Sequence, residues 1–108
     1  MWKVFSEPFM NADKVFPTQQ KDVYKLVSAY SKDPNIKRAI LFGSSVTSAC
    51  NPWSDIDIYV ELDEEKNTPA GGVTEVSVDL WTNFWVDDDL MKEINEKGVV
   101  VYERNTVR

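Results

Sequence analysis

The chain has 108 residues, of which 43% are hydrophobic and 28% are charged, and these values fit one globular domain with a modest core. Its formal net charge of -6 disfavours a long nucleic-acid substrate, because an acidic surface repels phosphate backbones. It has no histidine and one cysteine, which excludes Ser-His and Cys-His nucleophile pairs, histidine-ligated zinc and an intrachain disulfide.

The composition also predicts where the protein acts. A single cysteine fits a reducing cytosol, so we expect a cytoplasmic protein. No apolar run approaches the roughly 20 residues that span a bilayer, and the first residues lack the pattern of a signal peptide. We therefore expect one domain over residues 1–108 that makes no contact with membranes.

The first third of the chain predicts an irregular segment followed by a helix. Residues 1–17 have scattered apolar side chains between prolines, which indicates an irregular lead-in. Thr18 is the predicted N-cap of a helix, in which apolar residues then recur at helical spacing. This helix should end by Pro34, because a proline disfavours helical conformation in the residue before it.

Two strands are predicted on either side of a polar corner. Residues 38–42 form a short apolar run that ends at Gly43, which is typical of a buried strand. Residues 44–50 predict a short helix, closed by an Asn-Pro pair. Residues 55–62 alternate polar and apolar side chains, which is the period-2 pattern of a second strand.

The remaining elements are a strand, a helix and a last strand. Residues 73–82 are rich in β-branched and aromatic side chains, and we predict a strand antiparallel to the previous one because the connection looks short. Aspartates 87–89 favour a helix start, where the helix dipole stabilises acidic groups. Gly98 predicts the end of that helix, and residues 99–102 predict the final strand.

The aspartates of the second and third strands form the first candidate site. Asp55 and Asp57 lie on one face of their strand, because side chains alternate. Asp79 can join them if the two strands pair. Clustered carboxylates repel one another by roughly 4 kcal/mol at about 4 Å, so they indicate a divalent cation. Oxygen ligands alone favour Mg²⁺, Mn²⁺ or Ca²⁺ over zinc.

The Gly-Ser corner supplies a second candidate feature beside these carboxylates. Gly43 lets the backbone approach a ligand closely, and Ser44 begins a short helix whose free N–H groups attract anions. A phosphate chain could therefore run from this corner to metal ions at the aspartates. Phosphoryl transfer needs this arrangement of fixed positive charge and aligned groups.

Three stretches of the sequence, "LFGSS", "SDIDIYVEL" and "VSVDLW", together resemble a known family. They are similar to the DNA polymerase beta-like nucleotidyltransferase superfamily in its minimal bacterial form. The family pattern is Gly-Ser, then Asp-x-Asp, then an aspartate on a later strand, and the matching residues are Gly43, Ser44, Asp55, Asp57 and Asp79. The resemblance extends over roughly residues 36–103.

The resemblance implies an α+β fold in which helices pack on one face of a small mixed β-sheet. It implies two Mg²⁺ ions, with Mn²⁺ as a possible substitute, held by the catalytic residues Asp55, Asp57 and Asp79. Asp79 would also help to draw a proton from the acceptor hydroxyl. Gly43, Ser44 and Ser45 would bind the phosphates of a nucleoside triphosphate, with ATP as the expected donor of AMP.

The resemblance further implies a protein partner. Small members of this group act as antitoxins that silence a helical HEPN ribonuclease, either by adding AMP to it or by binding it. Many relatives have an arginine after Gly-Ser, where this chain has Ser45. A catalytically weak module that masks its partner is therefore the alternative hypothesis, and the many aromatic residues also allow an oligomer.

Overall fold

The computed structural model describes residues 4, 9–46, 55–66, 74 and 77–104. Its helices and strands follow in the order predicted from the sequence. They are α1 (Gln20–Tyr30), β1 (Ile36–Phe42), β2 (Ile56–Leu62), β3 (Val78–Thr82), α2 (Asp88–Lys97) and β4 (Val99–Glu103), with short 3-10 helices at Ala12–Lys14, Pro17–Gln19 and Gly43–Val46. Among these described residues, no helix is long and apolar enough to cross a membrane.

The four strands form one mixed sheet in the order β3-β2-β1-β4. Strand β1 is antiparallel to β2 and to β4, whereas β2 and β3 are parallel. The predicted antiparallel pairing of β2 with β3 is therefore wrong. The connection between them extends from residue 63 to residue 77. This length allows the crossover of a dozen or more residues that parallel strands require.

Helix α1 covers one face of the sheet. Its side chains Val23, Leu26 and Tyr30 are fully buried against the side chains of Ala39 and Leu41 in β1, together with the apolar side chains of β2. The lead-in contributes to the same core, since Val15 is also fully buried there. Burial of an aliphatic side chain of this kind stabilises a fold by roughly 1.5–3 kcal/mol.

Helix α2 covers the opposite face, so the prediction that the helices pack on one face is wrong. Its Ile94 is buried with Ile40 and Phe42 of β1 and with Tyr59 of β2. Ile40 and Phe42 alternate along β1 with Ala39 and Leu41, which face α1. Both faces of β1 carry large apolar side chains, and each face needs a helix to exclude water. The α+β class and the mixed sheet are confirmed.

The start of α1 also differs from the prediction that Thr18 is its N-cap. Thr18 lies inside the 3-10 helix Pro17–Gln19, which leads directly into α1. Gln19 is the N-cap residue, has helical backbone angles and makes no capping hydrogen bond with its side chain. Proline is well suited to the first position of a helical turn, and here it begins that turn before Thr18.

Both ends of α2 agree with the prediction. The side chain of Asp87 accepts a hydrogen bond of 2.8 Å from the backbone N–H of Leu90, and Asp88 and Asp89 occupy the first turn. The helix ends at Lys97, and the N–H of Gly98 donates to the carbonyl of Ile94. A Cβ atom on Gly98 would collide with Cγ2 of Ile40 and with the carbonyl of Ile94.

The close packing of Gly98 predicts that a methyl group at this position destabilises the fold. We expect Gly98→Ala to lower the free energy of unfolding by about 1–3 kcal/mol, because the backbone or Ile40 must shift to accommodate the added atom. Urea denaturation measures this change. Glu96→Ala, an exposed substitution in the same helix, is the control and should stay within about 0.5 kcal/mol of the wild type. Equal stabilities for both variants would contradict the packing.

Candidate functional site

The parallel register of β2 and β3 brings two of the predicted site residues together. Asp57 and Asp79 are direct partners across these strands, and their carboxyl groups lie within hydrogen-bonding reach of each other. Asp57 is half-buried, and Asp79 is exposed. Two carboxyl groups can form a hydrogen bond only when one of them is protonated, so this arrangement takes up either a proton or a cation.

The surroundings of Asp57 disfavour its charged form. The pKa of Asp57 is raised to about 6 by burial, the largest cause, together with the negative charges of Asp79, Asp55 and Glu93. Glu93 lies on α2 and is far from the other acids in the sequence. The site is thus a region of concentrated negative potential, with one carboxyl group that resists ionisation.

Gly43 lies directly against this carboxyl group. It follows Phe42, the residue of β1 that pairs with Asp57, and its φ of 75° lies in the left-handed region that favours glycine. A Cβ atom at this position would collide with the Oδ2 atom of Asp57. The corner at Gly43 and the acidic pair are therefore neighbours in the fold.

Two aromatic rings border the acidic pair on the same face of the sheet. The ring centroids of Phe42 and Trp81 are 5.4 Å apart at 56°, although the two residues belong to strands on either side of β2. Tyr59, the next residue of β2 on this face, is only 2% exposed. These rings make the neighbourhood of Asp57 apolar on one side, in agreement with the burial that raises its pKa.

The remaining predicted residues lie around this pair. Asp55 is exposed and immediately precedes β2, and Ser44 and Ser45 belong to the 3-10 helix Gly43–Val46. The short helix predicted over residues 44–50 is thus observed only to Val46, and residues 47–50 lie outside the described part. Within the described part, no group of three or more acidic or cysteine side chains is close enough to hold a metal ion.

Sequence reasoning found the acidic pair and the corner, but it missed two neighbours. The alternation along β3 places Trp81 on the same face as Asp79, and this signal was available in the sequence. No local pattern indicates Glu93, because its proximity to Asp57 depends on how α2 packs across the sheet.

Comparison with known proteins identifies the kind of domain to which this site belongs. The family model described as "Polymerase beta, Nucleotidyltransferase" matches residues 24–107, which is most of the chain. No match was found among curated proteins. The matched region contains the corner at Gly43 and all three predicted aspartates.

The raised pKa of Asp57 predicts a pH-dependent effect of Asp57→Asn in metal-free buffer. A carboxyl group whose folded pKa is about 6 stabilises the fold below its ordinary pKa, and this contribution is lost as the pH rises through 6. An asparagine resembles the protonated form at every pH. We therefore expect Asp57→Asn to raise the melting temperature by a few degrees near pH 7.5 and to change it little near pH 4.

Thermal unfolding in the presence of a chelator measures this effect. Glu65→Gln, at an exposed acidic position away from the pair, is the control and should not show the same pH dependence. The interpretation fails if Asp57→Asn lowers the melting temperature equally at both pH values.

The contact between Gly43 and Asp57 predicts energetic coupling between substitutions at the two positions. Gly43→Ala should destabilise the protein, because its methyl group meets the Asp57 carboxyl group and its φ is positive. Asp57→Ala removes the carboxyl group that the added methyl group meets, so Gly43→Ala should destabilise the Asp57→Ala variant less than the wild type. We expect a coupling energy of at least about 1 kcal/mol in a double-mutant cycle measured by urea denaturation. The same cycle with Glu61→Ala, further along β2 on the same face, should show additive effects.

Proposed function

We propose that this chain, which belongs to the polymerase beta nucleotidyltransferase family, transfers a nucleoside monophosphate from a nucleoside triphosphate to an acceptor hydroxyl. Membership of the family confirms the resemblance to the polymerase beta-like superfamily, and the minimal bacterial form stays a prediction. The observation that carries the proposal is the Asp57–Asp79 pair in contact with the corner at Gly43. This arrangement places a potential cation site beside a potential phosphate site, as phosphoryl transfer requires.

The carboxyl groups fit hard divalent cations. Asp57 and Asp79 supply oxygen ligands that repel each other without a positive charge between them, and Asp55 adds a third carboxylate nearby. The three carboxyl groups are not gathered closely enough in the described structure to form a complete set of ligands. We propose that two Mg²⁺ ions, for which Mn²⁺ can substitute, would draw Asp55 toward Asp57 and Asp79 on binding and be held by all three. When bound, the ions neutralise charge on the phosphates and lower the pKa of the acceptor hydroxyl.

The protein groups would act on either side of the transferred phosphorus atom. The acceptor oxygen forms a bond to the α-phosphorus, the bond to the bridging oxygen breaks, and pyrophosphate leaves. Asp79 is exposed and can accept the proton of the attacking hydroxyl. The absence of a side chain at Gly43 lets the Asp57 carboxyl group lie against the corner, and the backbone N–H groups of Ser44 and Ser45 are the proposed donors to the phosphates.

We propose ATP as the donor and a hydroxyl of a partner protein as the acceptor, with a small helical HEPN-type protein as the first candidate. The net charge of -6 and the acids around Asp57 support a protein acceptor, since both repel the backbone of a nucleic acid. A protein that presents basic residues would instead be attracted to this surface.

A second candidate function is a binding module that masks its partner without efficient transfer. The observation in its favour is Ser45, which occupies the position where many relatives have an arginine. The basic residues of β1 do not supply the missing charge, because Arg38 contacts Glu61 at 3.5 Å and Lys37 contacts Asp63 at 3.6 Å. Both pairs lie toward the end of β2 that is remote from Asp57.

Transfer of label from ATP tests the proposed activity. The protein is incubated with Mg²⁺, a co-expressed HEPN-type partner and ATP labelled at either the α- or the γ-phosphate. We expect the partner to take up the α label alone, and we expect Asp57→Asn and Asp79→Asn to lower the rate at least about 100-fold. Glu103→Gln, an exposed substitution on β4, is the control and should retain the rate.

The outcome separates the two candidate functions. Uptake of the γ label, or equal uptake by Asp57→Asn and the wild type, would contradict nucleotidyl transfer at this site. If neither label is transferred while the partner still forms a complex and Asp57→Asn still silences it, the masking function gains support. Protection of the protein by Mg²⁺ and ATP against thermal unfolding gives an independent measure of nucleotide binding.

A further inference from the structure

Two large apolar side chains lie exposed next to each other, at the turn between β3 and α2. The side chain of Phe84 is 46% exposed and that of Trp85 is 73% exposed. We call these two residues the aromatic corner. Scattered exposed apolar residues are ordinary, but two consecutive exposed aromatic residues leave apolar surface in water that burial would stabilise.

Hydrogen bonds hold the backbone of the aromatic corner in one conformation. The side chain of Asn83 accepts from the N–H of Leu62 at 2.9 Å and donates to its carbonyl at 3.1 Å. The N–H of Phe84 donates to Oγ1 of Thr82, and the N–H of Trp85 donates to the Thr82 carbonyl at 3.0 Å. A preformed aromatic surface loses little conformational entropy when a partner binds it.

The aromatic corner is remote from the proposed nucleotide site. Asp79 lies near the start of β3 and Thr82 is its last residue, a separation of about 10 Å at roughly 3.3 Å for each residue. Asn83 contacts Leu62, which is the end of β2 opposite to Asp57. The nucleotide and metal sites therefore do not account for the exposure of the two rings.

The surroundings of the aromatic corner are acidic. The exposed residues Asp87, Asp88 and Asp89 follow it in the sequence after Val86, and none of them joins an ion pair with another described residue. Asp87 already caps α2, so Asp88 and Asp89 retain the most freedom to meet an external charge. An aromatic surface beside unpaired carboxylates complements a segment that is both basic and apolar.

We propose that the aromatic corner, together with Asp88 and Asp89, is a docking surface for a basic and partly apolar segment of a partner protein. Arginine is well suited to such a surface, because its guanidinium group stacks on indole rings and pairs with carboxylates. The negative charge of this surface disfavours other binding partners. A second copy of the chain would bring like charges together, and nucleic acids or anionic lipids would be repelled.

Selection from a random dodecapeptide library tests this docking surface without nucleotide or Mg²⁺, so it is independent of the proposed transfer. The wild-type protein is the bait, and peptides that also bind Trp85→Ser are removed. We expect the selected peptides to be enriched in arginine or lysine beside apolar residues. Trp85→Ser and Phe84→Ser should each weaken the best peptide at least about 10-fold in fluorescence anisotropy.

Matched variants distinguish binding at the docking surface from a general attraction between a basic peptide and an acidic protein. Asp88→Asn with Asp89→Asn should weaken the peptide several-fold and reduce the effect of salt, whereas Glu96→Gln with Glu103→Gln, at exposed sites elsewhere, should not. Met10→Ser, at another exposed apolar residue, is the control for the aromatic variants. Thermal unfolding confirms that each variant is folded.

Three outcomes would overturn the proposal. The first is selection of acidic or uncharged peptides, or of no peptide at all. The second is equal weakening by the control variants. The third is self-association of the wild type that Trp85→Ser abolishes in sedimentation equilibrium, which would assign the aromatic corner to a second copy of the chain.

Discussion

The candidate site depends on two acidic side chains that the sheet holds as neighbours. Asp57 and Asp79 are partners in a parallel pair of strands, where two ionised carboxylates would repel each other unless a proton or a cation lies between them. Three features place these acids together. They are the crossover that leads to the start of β3, the contact of Gly43 with Asp57, and the apolar rings beside Asp57. An arrangement that opposes its own stability in this way is typical of a site built for a ligand.

The order and type of the elements could be predicted from the sequence, but their assembly could not. Alternation and capping are local signals, and they located β2, the start of α2 and the stop at Gly98 correctly. The direction of β3 depends on the path of residues 63–77, which no periodic pattern reveals. One sequence pattern does indicate that a helix covers the second face of β1. Residues 39–42 are continuously apolar, which indicates a strand that is buried on both faces.

The candidate site shows the same division between local and long-range information. The spacing of Gly43, Asp55, Asp57 and Asp79 was enough to select them as candidate site residues, and the structure brings Gly43, Asp57 and Asp79 together. The sequence alone could not reveal that Asp57 keeps its proton to about pH 6, because that property depends on burial and on neighbours from other elements. Strand β3 connects the two proposed surfaces, with the acidic pair near one end and the aromatic corner just beyond the other.

The central position of β1 affects the order in which the Gly43–Asp57 contact and the Asp57–Asp79 pair can form. Gly43 and Asp57 both belong to the unit made by β1 and β2, which are neighbours in the sequence and pair antiparallel. Asp79 arrives only with β3, after a long crossover whose closure is entropically costly. The unfavourable charge is therefore confined to one edge strand. Opening of that edge would release the repulsion and leave the rest of the sheet intact, and a cation bound between the two acids would oppose this opening.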